Sequence, residues 1–137
     1  MKAVGTKTDI EAMFTEAASS FSVDDIERAK EFYGSRLGLN VAAEEEGLTM
    51  QIGGLNTFIY LKDDHQPATF TIINFMVDDI DAAVDELAER GVQFESYEGE
   101  MKTDEKGIFR GEDSGHGPNI AWFKDPAANI LSVIEQR

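Results

Sequence analysis

The chain has 137 residues, 42% of them hydrophobic, no cysteine, and a formal net charge of −15 from 27 acidic and 12 basic side chains. That length suits one domain or two half-sized modules sharing a core. Disulfides, thiolate metal sites and cysteine nucleophiles are excluded, and the acidity argues against a nucleic-acid partner, whose phosphates it would repel.

No apolar run approaches the ~20 residues of a membrane span. The opening MKAVGTKTDIEAMF lacks the apolar centre of a signal peptide. A soluble, cytoplasmic protein with no membrane partner is predicted. The acidic surface either steers a cationic ligand inward or simply keeps the chain soluble.

Residues 1–12 read as a lead-in, or as an arm that packs on a neighbour. A strand is predicted over 13–23, with Phe21 and Val23 on one face and the small residues Ala18, Ser20 and Ser22 on the other. Asp24 or Asp25 then caps a helix whose stripe is Ile26, Ala29, Phe32, Tyr33 and Leu37, and Gly38 ends it. Strands follow over 39–46, 48–52 and 57–61, turned at Gly47 and at Gly53-Gly54. The polar stretch KDDHQPAT, residues 62–69, is the natural link to what comes next.

What comes next is the same unit again. Residues 21–41, FSVDDIERAKEFYGSRLGLNV, are echoed by residues 75–95, FMVDDIDAAVDELAERGVQFE, 54 positions later. A strand over 70–77 places Ile73, Phe75 and Val77 on one face and Ile72, Asn74 and Met76 on the other. Asp78 or Asp79 caps a helix striped by Ile80, Ala83, Val84, Leu87 and Ala88, ended by Gly91. A strand starts over 92–95. Residues 98–118 form a long charged, Gly-rich loop, interrupted by a short strand near 108–110. Strands over 119–123 and 130–135 close the chain around the turn KDPAAN. The expectation is an α+β fold of two βαβββ modules, residues 13–62 and 69–137.

Three stretches carry a family resemblance: VDDIERAKEFYGSRLGL at 23–39, VDDIDAAVDEL at 77–87 and AWFKDPAAN at 121–129. In this order and spacing they are fairly specific, and the chain resembles the glyoxalase/bleomycin-resistance/extradiol-dioxygenase (vicinal oxygen chelate) superfamily over nearly its whole length. The resemblance implies two tandem modules forming a curled eight-stranded mixed sheet around a shared cavity. It also implies a homodimer. Metal-dependent members hold a divalent ion with His on the first strands and Glu, Gln or His on the last. The matching positions here are Ala18, Ile72, Tyr60 and Ser132. They offer no imidazole or carboxylate, the donors that Mg, Mn, Fe, Ni or Zn need. No metal and no cofactor is therefore predicted.

The remaining candidates would line the cavity. Tyr60, Phe58 and Trp122 could stack on a flat ligand or be plain core. Asn74, Ser20 and Ser132 offer polar contacts, and Met50 and Met76 an adaptable lining or core filler. His116, in SGHG at 114–117, is a possible acid, base or ligand contact at the cavity mouth, or a surface residue. His65 reads as a solvated linker residue, and the four Asp of the two VDDI stretches as caps, not catalysts. Glyoxalase-like binding of a small organic molecule, such as an antibiotic or another aromatic or cationic compound, is the leading expectation. A lyase, isomerase or dioxygenase of the same superfamily, with a non-standard metal set or a metal-free acid/base pair such as His116 with Tyr60, is the alternative, and an interaction module without ligand the third.

Overall fold

The computed structural model of the chain describes residue 10 and residues 12–136. Apart from residues 10 and 12, the lead-in expected over residues 1–12 lies outside the described residues. The first module runs β1 (Ser19–Val23), α1 (Ile26–Lys30) continued by a π-helical segment (Glu31–Arg36), β2 (Asn40–Glu44), β3 (Gly47–Ile52) and β4 (Leu55–Leu61). The second runs β5 (Thr71–Val77), α2 (Ile80–Glu89), β6 (Ile108–Arg110), a one-turn α3 (Gly111–Ser114), β7 (Asn119–Lys124) and β8 (Ile130–Glu135).

The α+β class and the repeat are as the sequence implies. The eight strands fall into two four-stranded sheets, ordered β1-β4-β3-β2 and β5-β8-β7-β6. In each, the first strand lies parallel to the last and the remaining pairs are antiparallel. The sheets are not closed on one another, and β1 and β5 remain edges within the chain. The predicted strand over 92–95 is reduced to one bridge, Phe94 to Phe123, so β6 takes the outer position instead. The strand predicted from residue 13 begins only at Ser19.

Local chemistry sets the helices. Asp25 caps α1 by accepting from Arg28 N at 3.0 Å, and Asp79 caps α2 by accepting from Ala82 N at 3.1 Å, each worth about 1 kcal/mol. Glu135 adds a second carboxylate at the start of α2, accepting from Ile80 N at 3.0 Å. In the π segment, Leu37 N reaches back five residues to Phe32 O at 2.8 Å. Consecutive Phe32 and Tyr33 are both buried there. Gly38 (φ +75°) and Gly91 (φ +95°) end the two helices in the left-handed region that glycine enters freely.

Both modules contribute to one core. Val23, Leu48, Met50 and Ile59 from the first sheet join Ile73, Ala121, Phe123, Leu131 and Val133 from the second, with Phe32, Tyr33, Ile80 and Val84 from the helices. Burying such an aliphatic or aromatic side chain stabilises by about 1.5–3 kcal/mol. A polar clamp crosses the same boundary. Tyr33 Oη donates to Asp125 Oδ2 at 2.7 Å, and Asn129 Nδ2 donates to Ser22 O at 3.0 Å. Burial, and then the Asp125 carboxylate beside it, pushes the Tyr33 phenol far above its ordinary value.

His65 corrects the linker reading. Its Nδ1 lies 2.6 Å from Ser22 Oγ and its Nε2 3.0 Å from the Ala127 carbonyl. A carbonyl only accepts, so Nε2 donates to Ala127 O. A ring expected to be solvated therefore ties β1 to the β7–β8 turn.

The segment 98–118 is anchored, not loose. Asp104 Oδ1 accepts from Lys106 N and Ile108 N, both at 2.9 Å. Arg110 bridges Asp104 (3.0 Å) and Asp81 on α2 (2.8 Å), and Lys106 reaches Asp81 and Asp85, both at 3.0 Å. Hydrogen bonds from Arg110 and then Lys106 hold the Asp81 carboxyl far below its ordinary value. A lowered folded pKa contributes stability at pH above the unfolded value, about 3.9, and loses it as pH falls through the folded one. Asp81 is half exposed, so Asp81→Asn is expected to cost only about 1 kcal/mol at pH 7. That difference should shrink steadily below pH 4. Urea titrations at pH 7 and pH 3 measure it, and an equal difference at both would refute the network's role.

Candidate functional site

Side chains alternate across each strand, so each sheet has a core face and an open face. On the first sheet, Phe21, Val23, Leu48, Met50, Thr57 and Ile59 turn to the core. Ser20, Ser22, Thr49, Gln51, Asn56, Phe58 and Tyr60 turn to the open side. On the second sheet, Ile73, Phe75, Val77, Leu131, Val133, Ala121 and Phe123 turn inward. Ile72, Asn74, Met76, Ser132, Ile134, Ile120 and Trp122 turn outward.

Register organises the first open face into cross-strand rows. Asn40, Gln51 and Asn56 form one row across β2, β3 and β4. Ala42, Thr49, Phe58 and Ser20 form the next, reaching β1. Phe58 and Tyr60 stack with centroids 6.2 Å apart and planes at 15°. The rows bound an open pocket of about 310 Å³, with Ala18 and Ala42 as small wall residues. Met50 is 1% exposed and on the core side; it backs this pocket from behind, because it shares its face with Leu48 and Ile52. In a chain with 28% charged residues, the one charged strand residue on this face is Glu44, at the end of β2, which accepts from Thr49 Oγ1 at 3.2 Å.

The second open face is more apolar. Asn74, Ser132 and Trp122 form a row across β5, β8 and β7. Ser132 is fully buried and its hydroxyl donates to Asn74 Oδ1 at 2.6 Å. Trp122 packs edge-on against Tyr97 (5.5 Å) and tilted against Phe109 (6.4 Å). Met76 stands 53% exposed. Burial, and then the Glu95 carboxylate, raises the Tyr97 phenol above its ordinary value.

The sequence-derived candidates thus separate into two groups. Ser20, Phe58 and Tyr60 share the first open face, and Asn74, Met76, Trp122 and Ser132 the second. His116 belongs to neither; it lines a separate depression with Phe109, Arg110 and Ser114. Its backbone N donates to Gly111 O at 2.8 Å. Among the described residues no hydrogen bond joins His116 to Tyr60, and Tyr60 is not among the residues lining the His116 depression. Sequence reasoning missed Asn40, Thr49, Gln51 and Asn56.

The metal positions of the family do not fit a divalent ion here. Ala18 and Tyr60 lie on one open face and Ile72 and Ser132 on the other, supplying one phenol and one hydroxyl already bonded to Asn74. Among the described residues, no three His, Asp or Glu side chains gather in a place able to hold a metal. No described helix is long and apolar enough to cross a membrane.

Comparison with known proteins agrees with this fold. The family model described as Glyoxalase/Bleomycin resistance protein/Dioxygenase superfamily matches residues 16–133. No curated protein matches the chain in sequence. Among solved structures, a bleomycin-binding protein complexed with bleomycin is 21% identical, with a TM-score of 0.64 over 90% of this chain and 100% of that one. The antibiotic-binding protein TnmS3 from a Streptomyces species is 22% identical, with a TM-score of 0.59 over 89% and 97%. The fosfomycin resistance protein FosX from Listeria monocytogenes is 18% identical, with a TM-score of 0.64 over 90% and 94%. At these identities the likeness is one of fold.

Proposed function

Because the chain belongs to the glyoxalase/bleomycin resistance protein/dioxygenase superfamily, we propose that it binds and sequesters a small organic molecule, an antibiotic or another aromatic compound, without breaking a bond. The single observation behind this reading is the near absence of charge on two open sheet faces of a chain carrying −15. Both faces instead present aromatic surface, the Phe58–Tyr60 stack on one and Trp122 on the other. Loss of charge together with half-buried aromatic side chains and the exposed Met76 is the composition of a contact surface, not of a solvated one. The two faces belong to different sheets, so a groove lined by both is completed by a second copy, and the working form is a homodimer. Binding alone protects by lowering the free ligand concentration. The acidic field outside raises the local concentration of cationic compounds. The donor chemistry at Ala18, Tyr60, Ile72 and Ser132 weighs against a metal-dependent lyase, isomerase or dioxygenase.

Trp122 is the single tryptophan and gives a direct readout. Titration with bleomycin and other aromatic antibiotics is expected to quench its emission saturably and to raise the melting temperature. Ligand at one hundred times its Kd should add about 2.7 kcal/mol. Flat emission and an unmoved melting temperature across such a panel would overturn the binding reading. Light scattering that gives a monomer at micromolar concentration would remove the completed groove.

A further inference from the structure

We infer that the row Asn40–Gln51–Asn56 recognises an uncharged carboxamide, lactam or ureido edge of the ligand, and that the pocket on the first sheet selects against charged groups. This rests on the binding reading above and specifies which part of the ligand enters that pocket. Three carboxamides stand side by side on adjacent strands, in register and on one face. Strand spacing puts neighbours about 4.8 Å apart, so the row presents an edge about 10 Å long. Each carboxamide carries one acceptor oxygen and two donor hydrogens.

Among the described residues, none of the three side chains forms a hydrogen bond with any protein group, although neighbouring polar side chains on the same sheet do, as in Ser19 with Thr57 at 2.9 Å and Thr49 with Glu44 at 3.2 Å. Asn40 and Gln51 are exposed and Asn56 is half-buried, so their donors and acceptors stay open to water. A ligand can displace that water without breaking a bond inside the protein. A ligand edge with adjacent C=O and N–H groups pairs with a carboxamide through two parallel hydrogen bonds, one in each direction. A lone carbonyl or hydroxyl satisfies only half of the same side chain.

Charge is excluded by the same lining. Among the described residues, no Asp, Glu, Lys or Arg lines this pocket. An ion entering it would give up hydration and gain no countercharge from the lining, the one charged strand residue on this face being Glu44, which lies outside the lining and is already bonded to Thr49. The flat face of Phe58, one row along, supplies the apolar wall against which a planar amide-bearing ring lies. The long-range acidic field and the neutral pocket therefore act on different parts of a ligand.

Three probes of one shape separate the possibilities: benzamide, benzoate and benzamidinium, titrated at pH 7 into the full ¹⁵N-labelled chain. Benzamide is expected to shift the side-chain NH₂ signals of Asn40, Gln51 and Asn56 saturably, with the two ions at least ~10-fold weaker, about 1.4 kcal/mol. Gln51→Leu keeps the size of an exposed strand residue and should weaken benzamide about 10-fold while leaving the backbone spectrum intact. Benzamidinium or benzoate binding as tightly as benzamide would overturn the inference, and so would benzamide binding that ignores Gln51→Leu. Bleomycin quenching of Trp122 with no benzamide shift at these three residues would overturn it while sparing the binding reading. Silence in both experiments removes both.

Discussion

Replacing Asp125 by alanine is expected to lower stability by about 3–5 kcal/mol, the range for removing one partner of a buried charge-bearing network. The carboxyl is 4% exposed and accepts four hydrogen bonds: from Tyr33 Oη at 2.7 Å, Ala127 N at 2.8 Å, Asn129 N at 2.9 Å and Asn129 Nδ2 at 3.0 Å. Alanine leaves all four donors without this partner in a site closed to most water. Tyr33→Phe removes a single bond and should cost about 1–2 kcal/mol. In the Asp125→Ala background the same Tyr33→Phe change should be neutral or favourable, since the phenol it deletes is already an orphan. Urea unfolding of the two single variants and the double variant measures this coupling. A loss under 1 kcal/mol for Asp125→Ala, or strict additivity, would show that the clamp does not join the modules.

That clamp also shows where reading the sequence stops. Asp125 sits in the KDPAAN turn, and its local role, bonding the backbone of residues 127 and 129, is a turn property that composition signals. Its partner Tyr33 is 92 positions away, and nothing in a linear pattern pairs them. The same distance problem hid His65, whose partners Ser22 and Ala127 lie in the two different modules. The repeat itself was legible because caps, helical stripes and terminal glycines are local signals. Asp25, Asp79, Gly38 and Gly91 all occupy the places that those signals assign.

The pocket was half legible. Period-two alternation places Phe58 and Tyr60 on the open face. The same alternation, applied to Leu48, Met50 and Ile52, places Met50 in the core and exposes Thr49 and Gln51. The carboxamide row needed one further step, the register between strands. Glu44 pairs with Gly47 and Ile52 with Leu55, so both hairpins turn on two residues. Two-residue turns fix every later pair in a hairpin, and from them Asn40, Gln51 and Asn56 fall into line. What stayed out of reach is the separation of the two open faces, because that depends on how the modules pack, not on any strand alone.

The core that sets this packing turns on Phe123, and its truncation to alanine is expected to cost about 3–5 kcal/mol. The side chain is fully buried. Its ring lies 6.3 Å from Phe32 of the first module, 6.4 Å from Phe75 and 5.5 Å from Phe94. Removing it deletes transfer free energy and opens a void that these rigid neighbours cannot fill by small shifts. An apolar depression of about 270 Å³, bounded by Leu37, Leu39, Phe75, Leu87 and Phe123, already adjoins the position, so the new void merges with it. At about 4 °C per kcal/mol for a chain of this size, the melting temperature should fall by about 12–20 °C. Phe123→Leu retains most of the volume and should lose about 1–1.5 kcal/mol. An apolar hollow enlarged in this way accepts small apolar molecules. Toluene should therefore restore several degrees to Phe123→Ala and almost none to the parent chain. An alanine variant that melts within 4 °C of the parent, or shows no toluene response, would mean that the two modules are held together by the Asp125 clamp and not by this aromatic contact.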